Sequence, residues 1–233
     1  MPLSELDNPF FSSLRTRHRA WALGDESLCR YPADVAPFLG VASPDAATAA
    51  GLAALVPHGD TALLLGVMPD VPDGWQLETF RPLAQMVCEP RIAPIDGPEI
   101  IALDEHHRDD VLELIALVYP HYFRPRTPEL GRYFGIYQAD ASGNTRLAAM
   151  IGERLGTHDT REMSAICTHP DFLGRGYAGR LTAMLTNDTL ARGLTPFLHV
   201  SQENPRALQL YERLGYRTRY EIPFAALRRT NHG

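Results

Sequence analysis

Within FLGRGYAGRLTA, residues 172–183, Gly174, Gly176 and Gly179 stand at G-x-G-x-x-G spacing. Glycines leave backbone N–H groups uncovered, and a helix starting here would add the positive end of its dipole, so the segment can hold a pyrophosphate. Arg175 adds a formal positive charge beside it. The same glycines would also serve a tight strand-to-helix connection with positive φ and no ligand. A dinucleotide fold carries this spacing directly on the end of its first strand, with several βαβ units still to come. Here His169-Pro170-Asp171-Phe172 intervenes, little chain follows, and Glu203, which would have to serve as the ribose acid, adjoins the helix start Asn204-Pro205. The dinucleotide reading is therefore set aside, which leaves a phosphate-holding turn and a purely structural connection as the two readings of the spacing.

Just upstream, strand-period alternation puts Glu162, Ser164, Ile166 and Thr168 on one face and Arg161, Met163, Ala165 and Cys167 on the other. Downstream, Asn204 is a good N-cap, Pro205 suits the first helical position and Gly215 ends the helix, so Ala207, Leu210, Tyr211 and Leu214 share one side. Cys29, Cys88 and Cys167 are far apart and lack C-x-x-C spacing, which reads as buried thiols rather than disulfides or zinc ligands. His106 and His107 adjoin Asp104 and Glu105, but adjacent side chains diverge, and no metal site is expected.

The elements that must position these residues follow from the patterning. A join is expected near Cys88 to Pro98, where CEPRIAPIDGP carries three prolines and a glycine. It divides the chain into a lobe of residues 1–97 and a lobe of residues 98–233. The first lobe predicts helices around Pro9 to Leu23 and Ser43 to Leu55, and strands at Thr61 to Val67 and Trp75 to Val87. The second opens with a strand at Glu99 to Leu103 and a helix through DDVLELIALVY with Val111, Leu114, Ile115 and Val118 on one face. A meander follows at Tyr133 to Ala139, Thr145 to Arg154 and Arg161 to Thr168. After the glycines come a helix from Tyr177 to Ala191, a strand Pro196 to Ser201, a helix Pro205 to Leu214 and a last strand Arg217 to Pro223. The fold class is α/β of the α+β kind, with a mostly antiparallel central sheet flanked by helices and an additional N-terminal α/β lobe.

At 233 residues and 45% hydrophobic composition the chain can bury a substantial core. All 22 basic residues are arginines, and the net charge of −6 lies entirely before Gly97. No basic stripe interleaved with aromatics appears, and Arg15, Arg17, Arg228 and Arg229 read as solvated surface, so nucleic acid is not an expected partner. No stretch approaches a membrane span and the first residues lack a signal peptide's apolar segment, so a cytoplasmic protein without a membrane partner is expected.

CTHPDFLGRGYAGRLTAML followed by PFLHVSQENPRALQLYERLGYR resembles the GNAT superfamily of acyl-CoA-dependent N-acyltransferases, and within it the glycine N-acyltransferase-like branch. The resemblance covers about residues 98–223. It implies that Gly174, Arg175, Gly176, Tyr177, Ala178 and Gly179 hold the pyrophosphate of acetyl-CoA or another acyl-CoA, that backbone groups around Ile166 and Thr168 pair with the pantetheine arm, and that Asn204 both caps its helix and contacts the cofactor. The family's turn usually begins with Gln or Arg where this chain has Leu173, a departure that a backbone-mediated contact survives. Tyr211 matches the position whose phenol protonates the leaving thiolate. Glu162 matches a carboxylate that takes the amine's proton, which requires a raised pKa; the alternative is a surface ion pair with Arg161 or Arg154. Glu153 is the second candidate base. The implied reaction is direct attack of a primary amine, of a small molecule or a peptide, on acyl-CoA, with oxyanion support from strand N–H groups near Thr168 and no covalent intermediate at Cys167. A CoA-binding regulator without turnover is the competing expectation. The first lobe is expected to shape the acceptor pocket or to mediate a homodimer.

Overall fold

In a computed structural model the described residues are 4–118 and 122–230. The α-helices are α1 Pro9–Arg15, α2 Ala49–Leu55, α3 Arg108–Val118, α4 Tyr177–Ala191 and α5 Pro205–Arg213. The strands are β1 Leu23–Gly24, β2 Leu28–Arg30, β3 Leu39–Val41, β4 Thr61–Leu65, β5 Trp75–Thr79, β6 Leu83–Val87, β7 Ile101–Leu103, β8 Tyr133–Ala139, β9 Thr145–Gly156, β10 Thr160–Thr168, β11 Thr195–Ser201, β12 Arg217–Ile222 and β13 Phe224–Arg229. A seven-stranded sheet runs β12-β6-β11-β10-β9-β8-β7, antiparallel except for the β10–β11 pair. Two three-stranded sheets, β1-β2-β3 and β4-β13-β5, complete the strand structure.

Several expected elements change at identifiable breakers. The first helix stops at Arg15, where Thr16 leaves helical geometry and its hydroxyl bonds back to the Ser12 carbonyl at 2.6 Å. The Ser43 to Leu55 helix begins only at Ala49, capped by the Thr48 hydroxyl. The single strand expected from Trp75 to Val87 divides around Pro82, which has no N–H to give a ladder, and its halves join different sheets. Pro223 likewise separates β12 from β13, a strand the patterning did not anticipate. Tyr119, expected to extend α3, lies outside the described residues, and Val118 is 37% exposed rather than on the buried face.

These breaks carry chain across the join expected near residue 97. β6 from the first lobe sits between β12 and β11 of the large sheet, and β13 from the C-terminal end lies between β4 and β5. The cores merge in the same way: Phe10, Leu14, Tyr31 and Phe38 pack with Leu130, Leu155, Phe197, Ile222 and Phe224. Helix α3 packs Val111, Leu114 and Ile115 against Leu147, Met150 and Cys167, while α4 packs Leu181 and Leu185 with Ala148, Ile151 and Met163. No helix among the described residues is long and apolar enough to cross a membrane.

His18 fastens α1 to this shared core. Its Nε2–H donates to the Leu130 carbonyl at 3.0 Å, and its Nδ1 accepts from the Tyr31 hydroxyl at 2.8 Å. Burial, reinforced by the nearby Arg17 charge, lowers the imidazole pKa from 6.5 to about 4. The neutral form is thus favoured by folding, so this contribution is complete above pH 6.5 and drains away as pH falls towards 4. About 3 kcal/mol of stability should be lost over that interval, from roughly 1.4 kcal/mol per pKa unit. Urea titrations of His18→Gln at pH 7 and pH 4.5 check this: the variant should lose most of the wild-type difference between the two, and an unchanged difference would assign the acid sensitivity elsewhere.

Candidate active site

The turn before α4 has the geometry its glycines allow. Gly174 and Gly176 have φ of 79° and 78°, the left-handed region where a side chain is strained, and a Cβ built at either would meet no protein atom within 4 Å. Gly176 is the N-cap and offers no side-chain cap, so the first amides of α4 point outward without an intrahelical acceptor. Gly179 is packed, its Cβ position lying 3.5 Å from Leu210. Arg180 anchors the first turn by donating to the carbonyls of Pro98, at 2.9 Å, and Ile95. The Arg175 guanidinium lies 4.9 Å from the Phe172 ring centroid, and Leu173 is half exposed.

Beside the turn, the parallel β10–β11 pair is short. It covers only Thr160–Glu162 against Thr195–Phe197, after which the two strands part. On its other edge β10 bulges: Ser164 opposes Gly152 and Cys167 opposes Met150, leaving two residues against one, and Ala165 takes a φ of 51°. The bulge breaks the alternation expected from Glu162 to Thr168. Ile166 packs with Met163 on the α4 side, while Ala165 and Cys167 pack towards α3. Cys167, expected to turn away, instead borders the gap, yet burial pushes its thiol up to about 12 and keeps it protonated.

Two cavities adjoin the end of β10, the first against the glycine turn and α5 and the second in the gap between β10 and β11. The first, of about 390 Å³, is lined by Ile166, Thr168, Gly174 through Gly179, Asn204 and Tyr211. It brings together every expected cofactor residue. Arg206 and Arg213 also line it and were not singled out from sequence, although their i, i+7 spacing puts them on one face of α5. The second cavity, of about 560 Å³, is walled by Phe10, Phe38, Leu63, Leu65, Phe80, Tyr122 and Phe224, with Arg154, Ser164 and His199 as polar members. Tyr211, Ala207, Asn204, Ile166 and Cys167 border both.

Helix α5 places Tyr211 at that junction. The Asn204 Oδ1 accepts from the Ala207 amide at 3.0 Å, Pro205 opens the helix, and Gly215 at φ 92° lets the Tyr216 amide return to the Tyr211 carbonyl at 2.9 Å. The Tyr211 ring is buried beside Tyr216, and no protein group among the described residues hydrogen-bonds its hydroxyl. Burial and the neighbouring Cys167 thiol push its pKa above the ordinary phenol value, so the group is a proton donor across the neutral range.

Glu162 differs from the expected base. It is fully buried and held by both Arg154 nitrogens at 2.8 Å, by the Leu155 amide at 3.2 Å and by His199 Nδ1 at 2.7 Å. Burial alone would raise its pKa, but the Arg154 charge and these hydrogen bonds outweigh it and hold the carboxylate well below its usual range. The ion pair with Arg154 is therefore the form it takes, and its side chain lines neither cavity. His199 Nε2 faces the Gln85 amide nitrogen at 3.0 Å, and Gln85 Oε1 in turn accepts from Arg219 at 2.9 Å. That orientation makes Nε2 the acceptor and leaves the proton on Nδ1, facing Glu162. Glu153 is likewise corrected: buried away from both cavities, it binds Arg132 at 2.6 Å and Arg192 and Arg17 at 3.2 and 3.3 Å, and its pKa is lowered.

The overall fold has counterparts among known proteins. The solved structure of a GNAT-family acetyltransferase from Novosphingobium aromaticivorans is 30% identical, covers 98% of this chain and all of its own, and superposes with a TM-score of 0.86. The chain belongs to the GNAT family. The FR47-like protein family model matches residues 133–225, which run from β8 of this GNAT protein into β13. An acetyltransferase of Yersinia enterocolitica is 35% identical over 77 residues, 32% of this chain and 55% of the relative, so the chain spans about half the length of the curated relatives it matches. A GNAT-family acetyltransferase of Colwellia psychrerythraea, 12% identical with a TM-score of 0.52 over 87% of this chain and 80% of its own, shares the fold alone.

Proposed function

We propose that the protein transfers an acetyl group from acetyl-CoA to a primary amine by direct attack in a ternary complex. The observation that carries this reading is the meeting of two separate cavities at one buried, protonated phenol, Tyr211. An acyl-CoA supplies the activated thioester carbonyl. The first cavity fits it: the open space over Gly174 and Gly176 admits a pyrophosphate, the α4 amides donate to it, and Arg175, Arg206 and Arg213 supply positive charge. Past the bulge, the free edge of β10 offers backbone groups near Ile166 and Thr168 to an extended pantetheine and to the developing oxyanion. Tyr211 protonates the departing thiolate.

The amine meets the carbonyl from the second cavity, whose walls Phe10, Phe38, Leu63 and Phe80 come from the first 97 residues. Glu162 acts there through Arg154 and His199, which it orients, rather than as a base. Among the described residues lining this chamber the one carboxylate is Glu203, 72% exposed at the rim and 3.7 Å from Arg81, so the proton of an arriving ammonium leaves to water before attack. Placement in the glycine N-acyltransferase-like branch is supported by the glycine turn and the Asn204–Gly215 helix together.

Thiol release from acetyl-CoA across a panel of primary amines tests the reading directly, and release with none of them would leave a CoA-binding protein without turnover. Gly176→Val tests the cradle. Its Cβ would meet no protein atom, so the penalty within the protein is the backbone conformation, about 1–2 kcal/mol. Calorimetry on the folded variant should show CoA affinity reduced by ~10-fold or more, about 1.4 kcal/mol. Unchanged affinity would remove the turn from the site.

A further inference from the structure

The second cavity carries more chemistry than an amine alone requires. It is large beside an acetyl group, and its mostly apolar lining includes the rings of Phe10, Phe38, Phe80, Tyr122 and Phe224. Phe10 and Phe38 stack at 4.1 Å, Tyr122 meets Phe224 edge-on at 5.8 Å, and Phe80 leans on Phe224 at 5.2 Å. The Arg154 guanidinium lies over Phe38 at 5.0 Å, with its charge already engaged by Glu162. The chamber also has its own rim, set by Phe80, Arg81 and Glu203 at 38, 64 and 72% exposure. Arg175, Arg206 and Arg213 line the first cavity and not the second, and Phe80, Arg81 and Glu203 line the second and not the first.

We infer that the acceptor is a small primary amine carrying an aromatic or bulky apolar group, which enters at the Phe80 rim and seats that group among these rings. The inference rests on the transferase reading above and names the substrate class of the same site. The separate rim favours an acceptor over a long acyl chain, because an acyl chain would arrive through the first cavity and need no second opening. Aromatic pairs in offset and edge-on arrangements hold a further ring well, whereas a small polar amine would leave the chamber's apolar surface uncompensated.

Initial rates of thiol release by the full chain, with acetyl-CoA and methylamine, butylamine or 2-phenylethylamine, decide the matter. Burial of the ring should raise kcat/KM for 2-phenylethylamine over methylamine by about 10- to 100-fold. Phe80→Ala, at an exposed position that folding tolerates, should narrow that ratio by about threefold or more. A flat amine ranking overturns the inference, and a flat ranking joined to a steep preference for octanoyl-CoA over acetyl-CoA gives the chamber to the acyl chain instead. If CoA binds and no amine releases thiol, the transferase reading fails separately. Calorimetric titration of CoA-loaded protein with the same amines then decides the chamber: preference for 2-phenylethylamine upholds the ligand class, and equal or absent binding overturns it.

Discussion

Tyr211→Phe should lower kcat by about 10²–10⁴-fold while leaving the melting temperature and the CoA affinity nearly unchanged. The substitution keeps the ring that packs beside Tyr216 and deletes only the hydroxyl at the junction of the two cavities. No protein partner among the described residues is left unpaired by that deletion, so a structural penalty of the kind paid for an orphaned buried group has no source here. A tyrosine serving only to pack would give the opposite pair of results, full turnover per folded molecule with any cost confined to stability. Water reaching the thiolate sets the floor of the effect. Measuring turnover and thermal unfolding on one preparation separates the two roles, and normal turnover would take Tyr211 out of the mechanism.

Glu162→Gln should instead be felt first in stability, by about 3–5 kcal/mol, because it leaves Arg154 in a buried setting without its countercharge. For a chain of this length that corresponds to a fall in melting temperature of roughly 6–20 °C. Replacing both partners by apolar residues, Arg154→Met with Glu162→Leu, should recover much of the loss, since the uncompensated charge is then gone. A general base would behave differently, with turnover collapsing and stability unaffected. The pH dependence has a defined sign. The folded pKa of Glu162 is depressed, so its contribution is complete above the ordinary carboxylate value of 4.5 and is lost as pH falls below it. The His18 contribution begins to drain earlier, from pH 6.5 downward, so the part of the acid-side stability loss that begins at pH 6.5 should be reduced in His18→Gln.

The chain's local chemistry made a large part of this legible. Strand β8 and helix α4 run over the very residues that patterning assigned, Tyr133–Ala139 and Tyr177–Ala191, because alternation, the glycine start and helical periodicity are properties of a few consecutive residues. The left-handed turn at Gly174 and Gly176, and the helix from Asn204 to Gly215 that presents Tyr211, follow from residue types at fixed offsets in the same way. The positions of the glycine turn and of Tyr211 beside the first cavity were therefore legible in sequence, while the roles proposed for them came from the family resemblance.

Tertiary structure alone decided what surrounds them. The bulge at Ala165 is a mismatch of count between β10 and β9, and no property of β10 by itself records how many residues its neighbour supplies. The insertion of β6 beside β11, and of β13 between β4 and β5, depends on pairings between strands more than 100 residues apart, which local patterning cannot rank. Glu162 was expected as a base because it matches a carboxylate of the family it resembles, but its protonation is set by Arg154 on the adjacent strand and His199 on another, and their charge and hydrogen bonds prevail over burial. The aromatic chamber collects Phe10, Phe38, Phe80 and Phe224 from four separate segments. Each is an ordinary core residue in its own stretch, and the rings become one surface only because β10 and β11 part after Glu162 and leave a gap for the N-terminal chain to wall.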